Sequence, residues 1–219
     1  MYKVLERIIL GRLIKHPKET TRNEQAGFRS GRSTIDQVFL VRRVIEIRQR
    51  YSKLMQLAFL DFEDAFDSPH RGRLLNALRA DGVPGKFVLL LDDMNQRTTA
   101  AVRTPAGYTA PFEVVTGVRQ GAVEGPFLFN FAIDNIMRRT VDQCSADIIL
   151  APSGRPLTDL EYADDVVVFA ESSTKLQHVV NLVPKLAAAY GLRLRPGKCK
   201  QMWISSRPRT GIRVDGQLS

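Results

Sequence analysis

Two strand-like runs, Leu157 to Tyr162 and Val166 to Ala170, are separated by only Ala163-Asp164-Asp165. So short a connection permits one pairing. Parallel strands need a crossover of roughly a dozen residues or more, so these runs must fold back as an antiparallel hairpin. Its tip then carries two adjacent carboxylates beside a strand of Val166, Val167, Val168 and Phe169.

Around that hairpin the pattern alternates between helix and strand. A helix is expected over residues 2–15, stopping near His16-Pro17 because a proline disfavours helix in the residue before it. Asn23 to Arg32 reads as a Gly- and Arg-rich loop. A helix from about Ile35 to Tyr51 follows, capped by Ser33 or Thr34, with Val38, Val41, Val44 and Ile45 at helical spacing. Lys53 to Phe62 reads as a buried strand. Ser68-Pro69 opens a helix with proline at its first position, and Asp81-Gly82 ends it. Another helix runs from Pro84 to about Asn95, and residues 100–104 and 108–115 form a hairpin. Pro126 to Arg139 and Thr174 to Tyr190 are helical, while Ile148 to Ala151, Leu192 to Leu194 and Gln201 to Ile204 are strands. The expected class is α+β around a mainly antiparallel sheet.

The apolar fraction of 44% over 219 residues is enough to bury a core, which excludes wholesale disorder. Apolar stretches of the Phe87–Leu91 kind fall far short of the roughly 20 residues of a membrane span. The amphipathic opening (Val4, Leu5, Ile8, Ile9, Leu13) contains Glu6 and is not a signal peptide. Cys144 and Cys199 stand alone, as free thiols do in a reducing compartment, so an intracellular setting is expected, in cytoplasm or nucleus. The net charge of +9 is unevenly spread. Residues 1–50 hold 12 basic and 5 acidic side chains, residues 191–219 hold 7 and 1, and residues 51–190 hold 13 and 17. A basic frame around an acidic centre fits a nucleic-acid binder with a metal-binding middle, and equally an ordinary basic surface.

Two acidic clusters carry the chemistry. One is Asp61-Phe62-Glu63-Asp64-Ala65-Phe66-Asp67 at the end of a strand, and the other is the Asp164-Asp165 tip. Carboxylates crowded at neighbouring strand tips repel unless cations lie between them. Hard divalent ions such as Mg²⁺ accept one or two carboxylates together with phosphates and water. Alone, the Asp164-Asp165 pair is equally ordinary turn chemistry and the first cluster equally a solvated helix start. An EF-hand is excluded for want of its central Gly and closing Glu. His16, His70 and His178 lie in unrelated contexts, and no Gly-x-Ser-x-Gly occurs. Between the clusters stands Gly117-Val118-Arg119-Gln120-Gly121, followed by Ala122-Val123-Glu124-Gly125-Pro126 at a helix start, where backbone amides approach a phosphate closely.

These motifs, in this order, resemble the reverse transcriptase domain of non-LTR (LINE-type) retrotransposons. Asn23-Glu24-Gln25-Ala26-Gly27-Phe28-Arg29 with Gly31-Arg32-Ser33-Thr34 resembles the family's fingers motif. Leu60-Asp61-Phe62 with Ala65-Phe66-Asp67 resembles the first catalytic motif. Arg119-Gln120-Gly121 with Pro126 and Leu128-Phe129-Asn130 resembles the template and nucleotide motif. Tyr162-Ala163-Asp164-Asp165 resembles the second catalytic motif, and Gly191-Leu192 with Lys198 the motif after it.

The resemblance implies a polymerase palm, an antiparallel sheet with packed helices in the ferredoxin-like manner, plus partial, mainly helical fingers. Residues 1–56 would be fingers and 57–219 palm, with the first fingers strand and the thumb absent, as in a fragment of a longer polyprotein. The implied activity is RNA-directed DNA polymerisation: transfer of dNMP from dNTP to a DNA primer 3′-OH on an RNA template, with two Mg²⁺ ions (Mn²⁺ as substitute). Asp61, Asp164 and Asp165 would be catalytic. They and the carbonyl of Phe62 would hold metal. Asp64, Ala65, Phe66, Gln120, Gly121, Arg29, Arg32 and Lys198 would bind the nucleotide, Phe66 as a steric gate against a 2′-hydroxyl. Gly125 and Glu124 depart from the family's usual run, and Arg195 stands where Asn is common. The altered Gln120–Pro126 loop and the fragment ends motivate a rival reading, a catalytically impaired retroelement fragment that only binds nucleic acid, which intact Asp61, Asp164 and Asp165 oppose.

Overall fold

A computed structural model of the chain describes residues 2–15, 22–119, 121–144, 148–149, 156–204, 213–214 and 217–218. In chain order the first half holds helices α1 (Tyr2–Leu13) and α2 (Thr34–Arg50), strands β1 (Met55–Leu60) and β2 (Phe62–Glu63), and helices α3 (Arg71–Ala80) and α4 (Gly85–Asn95). Short strands β3 (Thr99–Ala100), β4 (Arg103–Thr104), β5 (Gly107–Tyr108) and β6 (Phe112–Glu113) lead to α5 (Gly125–Gln143). Then come β7 (Ile148–Ile149), β8 (Pro156–Leu157), β9 (Asp159–Tyr162), β10 (Asp165–Ala170) and α6 (Ser173–Ala188). Strands β11 (Arg193–Leu194), β12 (Lys200–Ile204), β13 (Arg213–Val214) and β14 (Gln217–Leu218) complete the α+β chain. Among the described residues no helix is long and apolar enough to cross a membrane.

The chain divides into two compact units. One comprises Thr21–Glu63 and Asn130–Ser219 and contains a four-stranded antiparallel sheet in the order β12-β1-β10-β9. Side chains alternate across a strand, so each face has its own helix. Met55, Leu57, Val167 and Phe169 form a core with Val44 of α2. Gln56 points the other way and donates to Ser173 Oγ at the start of α6, at 3.0 Å. The buried stripe of α6 is Leu176, Val179, Val180, Val183 and Ala187. Burying the four larger of these, Leu176, Val179, Val180 and Val183, stabilises the layer by about 1.5–3 kcal/mol each before the entropy of ordering is counted.

The other unit comprises Met1–Thr20 and Asp64–Phe129. Helices α3 and α4 bury Leu74, Leu75 and Leu78 and Phe87, Val88 and Leu91. β3 pairs with β6 and β4 with β5, as a hairpin around Pro105-Ala106. Arg71 serves as a tie, its guanidinium donating to the carbonyls of Gly117, Asn95 and Val114.

Several expected boundaries move, each for a local reason. Pro69 is not the first residue of α3. Its carbonyl accepts from Gly117 N at 2.9 Å, and His70 becomes the N-cap, with its Nδ1 accepting from Arg73 N. α5 runs on to Gln143, and buried Thr140 within it satisfies its hydroxyl on the Ile136 carbonyl rather than breaking the helix. The strand expected over 157–162 is broken at Thr158, whose carbonyl accepts from Phe169 N. α6 continues through Pro184, so its interior lacks one N–H donor. The His16-Pro17 stop and the end of the strand expected at Ala151 lie outside the described residues.

Candidate active site

The three aspartates converge because of strand register. β1 and β10 pair down to Leu60 opposite Val166, so one further step sets Asp61 beside Asp165. Asp165 pairs with Tyr162 across the β9–β10 hairpin, leaving Ala163 and Asp164 as its two-residue tip. Burial, with the charges of Asp164 and Asp61 beside it, pushes the Asp165 carboxyl above the ordinary aspartate range. Asp61 Oδ2 is buried and has no hydrogen-bond partner. Arg195 faces it, with Nε 3.9 Å from that oxygen and its amide donating to the Asp61 carbonyl at 2.8 Å. Phe62 continues the same segment as β2, paired with Leu194 of β11. Among the described residues no three His, Cys, Asp or Glu side chains are grouped so as to hold a metal ion by themselves. An ion that keeps waters and substrate phosphates needs no such group. An orphaned carboxylate oxygen and a crowded neighbour whose carboxyl is pushed upward are what such a cation would relieve, so these residues fit it.

The second group of expected site residues lies in the other unit. Asp64 takes a positive φ of 43°, and its carbonyl accepts from the amides of Asp67 and Ser68. That turn buries Ala65 and leaves Phe66 half-buried, stacked on fully buried Phe129 with ring centroids 4.3 Å apart. Val118 N donates to the Phe66 carbonyl at 2.8 Å, so the Gly117–Val118 loop pins the same turn. Gly121 is exposed, has a φ of 75°, and accepts on its carbonyl from Lys3 Nζ. Gln120 lies outside the described residues. Glu124 is buried, and that burial, with the Glu6 charge beside it, pushes its carboxyl above the ordinary range.

In the first unit described, Arg29 is half-buried, with Nη1 donating to the carbonyls of Arg22 and Gln25 at 2.7 Å each. Arg32 is exposed and reaches Asn23 Oδ1 at 3.3 Å. Lys198 is exposed on the short turn that carries the chain from Arg195 into β12.

Sequence reasoning gave no role to three residues. Arg195 was only a departure from pattern, Phe129 only part of a motif, and Gln25 only a fingers residue. The structure makes Arg195 the cation facing Asp61 and Phe129 the plate behind Phe66. Gln25 is completely buried, and its amide reaches Ala163 at the hairpin tip. The sequence signal for Arg195 was its place one residue after β11; nothing local signals the other two.

The family described as "Reverse transcriptase (RNA-dependent DNA polymerase)" matches residues 1–214, and the chain belongs to that family. Within it the relatives are non-LTR retrotransposon polyproteins. The chain is 27% identical over 186 residues to the Pol polyprotein of the type-2 retrotransposable element R2DM of Drosophila melanogaster, covering 84% of this chain and 17% of that one. It is 26% identical over 228 residues to the RNA-directed DNA polymerase of the mobile element jockey from the same organism, covering 99% and 24%. The chain thus spans a quarter or less of the length of either of these two curated relatives. Among solved structures, a telomerase from Candida albicans in complex with a fragment of telomeric RNA superposes with a TM-score of 0.67 at 12% identity, covering 96% of this chain and 35% of that one. An apo telomerase from Candida tropicalis gives 0.66 at 11% identity, covering 96% and 42%. Both carry the same fold, which bears out the palm expectation.

Proposed function

We propose that this domain extends a DNA primer on an RNA template, joining the primer 3′-oxygen to the α-phosphorus of a dNTP with release of pyrophosphate. The observation that carries this is the β1–β10 register, which sets Asp61 beside Asp165 and next to the Asp164 tip. Asp61 and Asp164 are the main metal ligands, Asp165 supports them, and the Phe62 carbonyl completes the set. Two Mg²⁺ ions, or Mn²⁺ in their place, supply charge neutralisation at the attacked phosphate when bound.

The chain's own residues do the rest by positioning. The amides of Asp64 and Ala65 face the triphosphate. Phe66 lies under the sugar, and Gln120 and Gly121 align template and nucleotide. Arg32 contacts phosphate, with Arg29 bracing the loop that presents it. Lys198 supplies a proton or a positive charge to the departing pyrophosphate. RNA template, DNA primer and dNTP are therefore the partners, together with the rest of a retroelement polyprotein. The setting is intracellular, cytoplasmic or nuclear, in keeping with Cys144 and Cys199 as buried free thiols.

Primer extension on poly(rA)/oligo(dT) with Mg²⁺ tests the reading, with Asp164→Asn beside the parent chain. The parent is expected to extend and the variant to fall to background with its fold and template binding retained. A variant that extends at the parent rate overturns the site. A parent chain that binds the primed template without extending it favours the nucleic-acid-binding rival.

A further inference from the structure

The loop that precedes α2 lies along the outer edge of β9, and one side chain in it reaches the catalytic hairpin tip. Backbone bonds set the register. Ala26 N donates to the Glu161 carbonyl at 2.9 Å, Glu161 N donates to the Glu24 carbonyl at 3.0 Å, and Gln25 bridges Glu161 in parallel. Gln25 has no exposed surface. Its Nε2 donates to Glu161 Oε2 at 2.8 Å, and its Oε1 accepts twice, from Gly27 N at 2.8 Å and from Ala163 N at 3.2 Å.

Ala163 is the first residue of the two-residue tip. Its φ of 57° is one that residues with a side chain take up reluctantly. Its amide is turned inward to Gln25, and Asp164 follows directly. The loop is held close from its other side as well, since Asn130 Nδ2 donates to the Gly27 carbonyl. There is no slack: a Cβ built on Gly27 would stand 2.3 Å from Ala163 N. Glu161 is in turn fixed by Arg22, which also donates to both oxygens of Asp159 and to Asp134.

We propose that Gln25 is a positioning residue. Its amide, backed by Glu161 and closed over by Gly27, latches the strained Ala163-Asp164 tip in the conformation that aims Asp164 at the reacting phosphate. The inference rests on the polymerase reading above and deepens it. The chemistry selects this side chain. Asn is one methylene too short to reach both amides while keeping Glu161. Glu would set a carboxylate against Glu161. Met fills the space but neither accepts nor donates.

The experiment uses the whole 219-residue chain. Amide hydrogen exchange at Ala163 and Gly27 is compared in the parent and in Gln25→Met, with Leu57 and Val168 in the sheet as internal references. Exchange at Ala163 should quicken by about ten-fold or more while the sheet amides keep their rates. Turnover per folded molecule, counted by active-site titration on a primed template, should fall by about ten-fold or more, with KM for dNTP within about two-fold. If Gln25→Met does not fold, Gly27→Ala answers the question, because it displaces Ala163 without removing the Gln25 amide; the same loss of kcat is expected. Unchanged exchange at Ala163 overturns the latch. So does a loss of activity that tracks the folded fraction alone, or a change confined to KM. A parent chain with no polymerase activity sinks the polymerase reading instead, and the exchange comparison still decides whether the latch holds the tip.

Discussion

At the scale of single residues, Phe66 tests whether the domain makes DNA. The stack on Phe129 holds the ring in place. An aromatic pair of that kind contributes about 0.5–1.5 kcal/mol beyond simple burial. A ring so backed cannot yield to a 2′-hydroxyl, and packed groups absorb extra volume at a cost of about 1–3 kcal/mol. Phe66→Val should therefore raise rUTP use relative to dTTP by ten-fold or more, on the order of the lower part of that cost. Phe129→Leu, which softens the support while leaving Phe66 in place, should raise it less. Measuring kcat/KM for both nucleotides on one primer decides the matter, and an unchanged ratio in Phe66→Val means the ring only packs. The aspartates and Phe66 were legible in the sequence because each sits in a short motif whose spacing carries its meaning. Gln25 and Arg195 were not, because their roles depend on partners 138 and 134 residues away along the chain, at Ala163 and Asp61.

Two connecting elements make sharper predictions than the helices do. The Gly117 loop braces the Phe66 turn, and Gly117 combines a φ of 78° with a Cβ position only 2.8 Å from Asp67 Cα. Gly117→Ala should cost about 1–3 kcal/mol for the left-handed backbone alone, read as a lower urea midpoint. β9 makes the second prediction. Its Glu161 is fully buried among Asp159, Asp134, Arg22 and Gln25, and burial together with the Asp159 charge pushes its carboxyl well above the ordinary range against the pull of Arg22. Raised in the folded state, Glu161 binds its proton more tightly folded than unfolded, so stability is greatest below its unfolded pKa near 4.5 and is lost as pH climbs from there. Asp134, raised by the same burial, adds a loss of the same sign. Glu161→Gln imitates the protonated form and should flatten the decline as pH rises from about 4.5 towards neutrality. Parallel urea-midpoint curves for the two proteins across that range rule the effect out. Elements with a clean period, such as α2 and β10, could be read from sequence within a residue or two. The start of α3 could not, because Pro69 and His70 divide capping and loop-bracing between them through a contact to Gly117 that no local pattern records.

For the whole molecule, what the sequence displayed was charge, and what it concealed was the division into units. Thr21–Glu63 joins Asn130–Ser219 across an intervening stretch of chain, a consequence of sheet pairing between β1, β10 and β12 that composition cannot announce. The charge of +9, concentrated toward the two ends of the chain, belongs to the molecule however its units pack. A polymerase must hold a primed template without reading its sequence, so its grip has to be on phosphates. Each phosphate neutralised by Lys or Arg releases condensed counterions, and the affinity then falls as a power of salt concentration. If about six or more phosphates are contacted, affinity for an RNA/DNA duplex should drop by a factor of about 10³ or more between 50 and 200 mM salt. Surface pairs such as Arg42–Glu46 and Arg43–Glu46 are already exposed and weak, so they should offer little competition at any of those concentrations. Fluorescence anisotropy of a labelled duplex across that salt range gives the slope directly. A flat titration would mean that the positive charge is ordinary surface, and that the duplex is held by something other than its backbone.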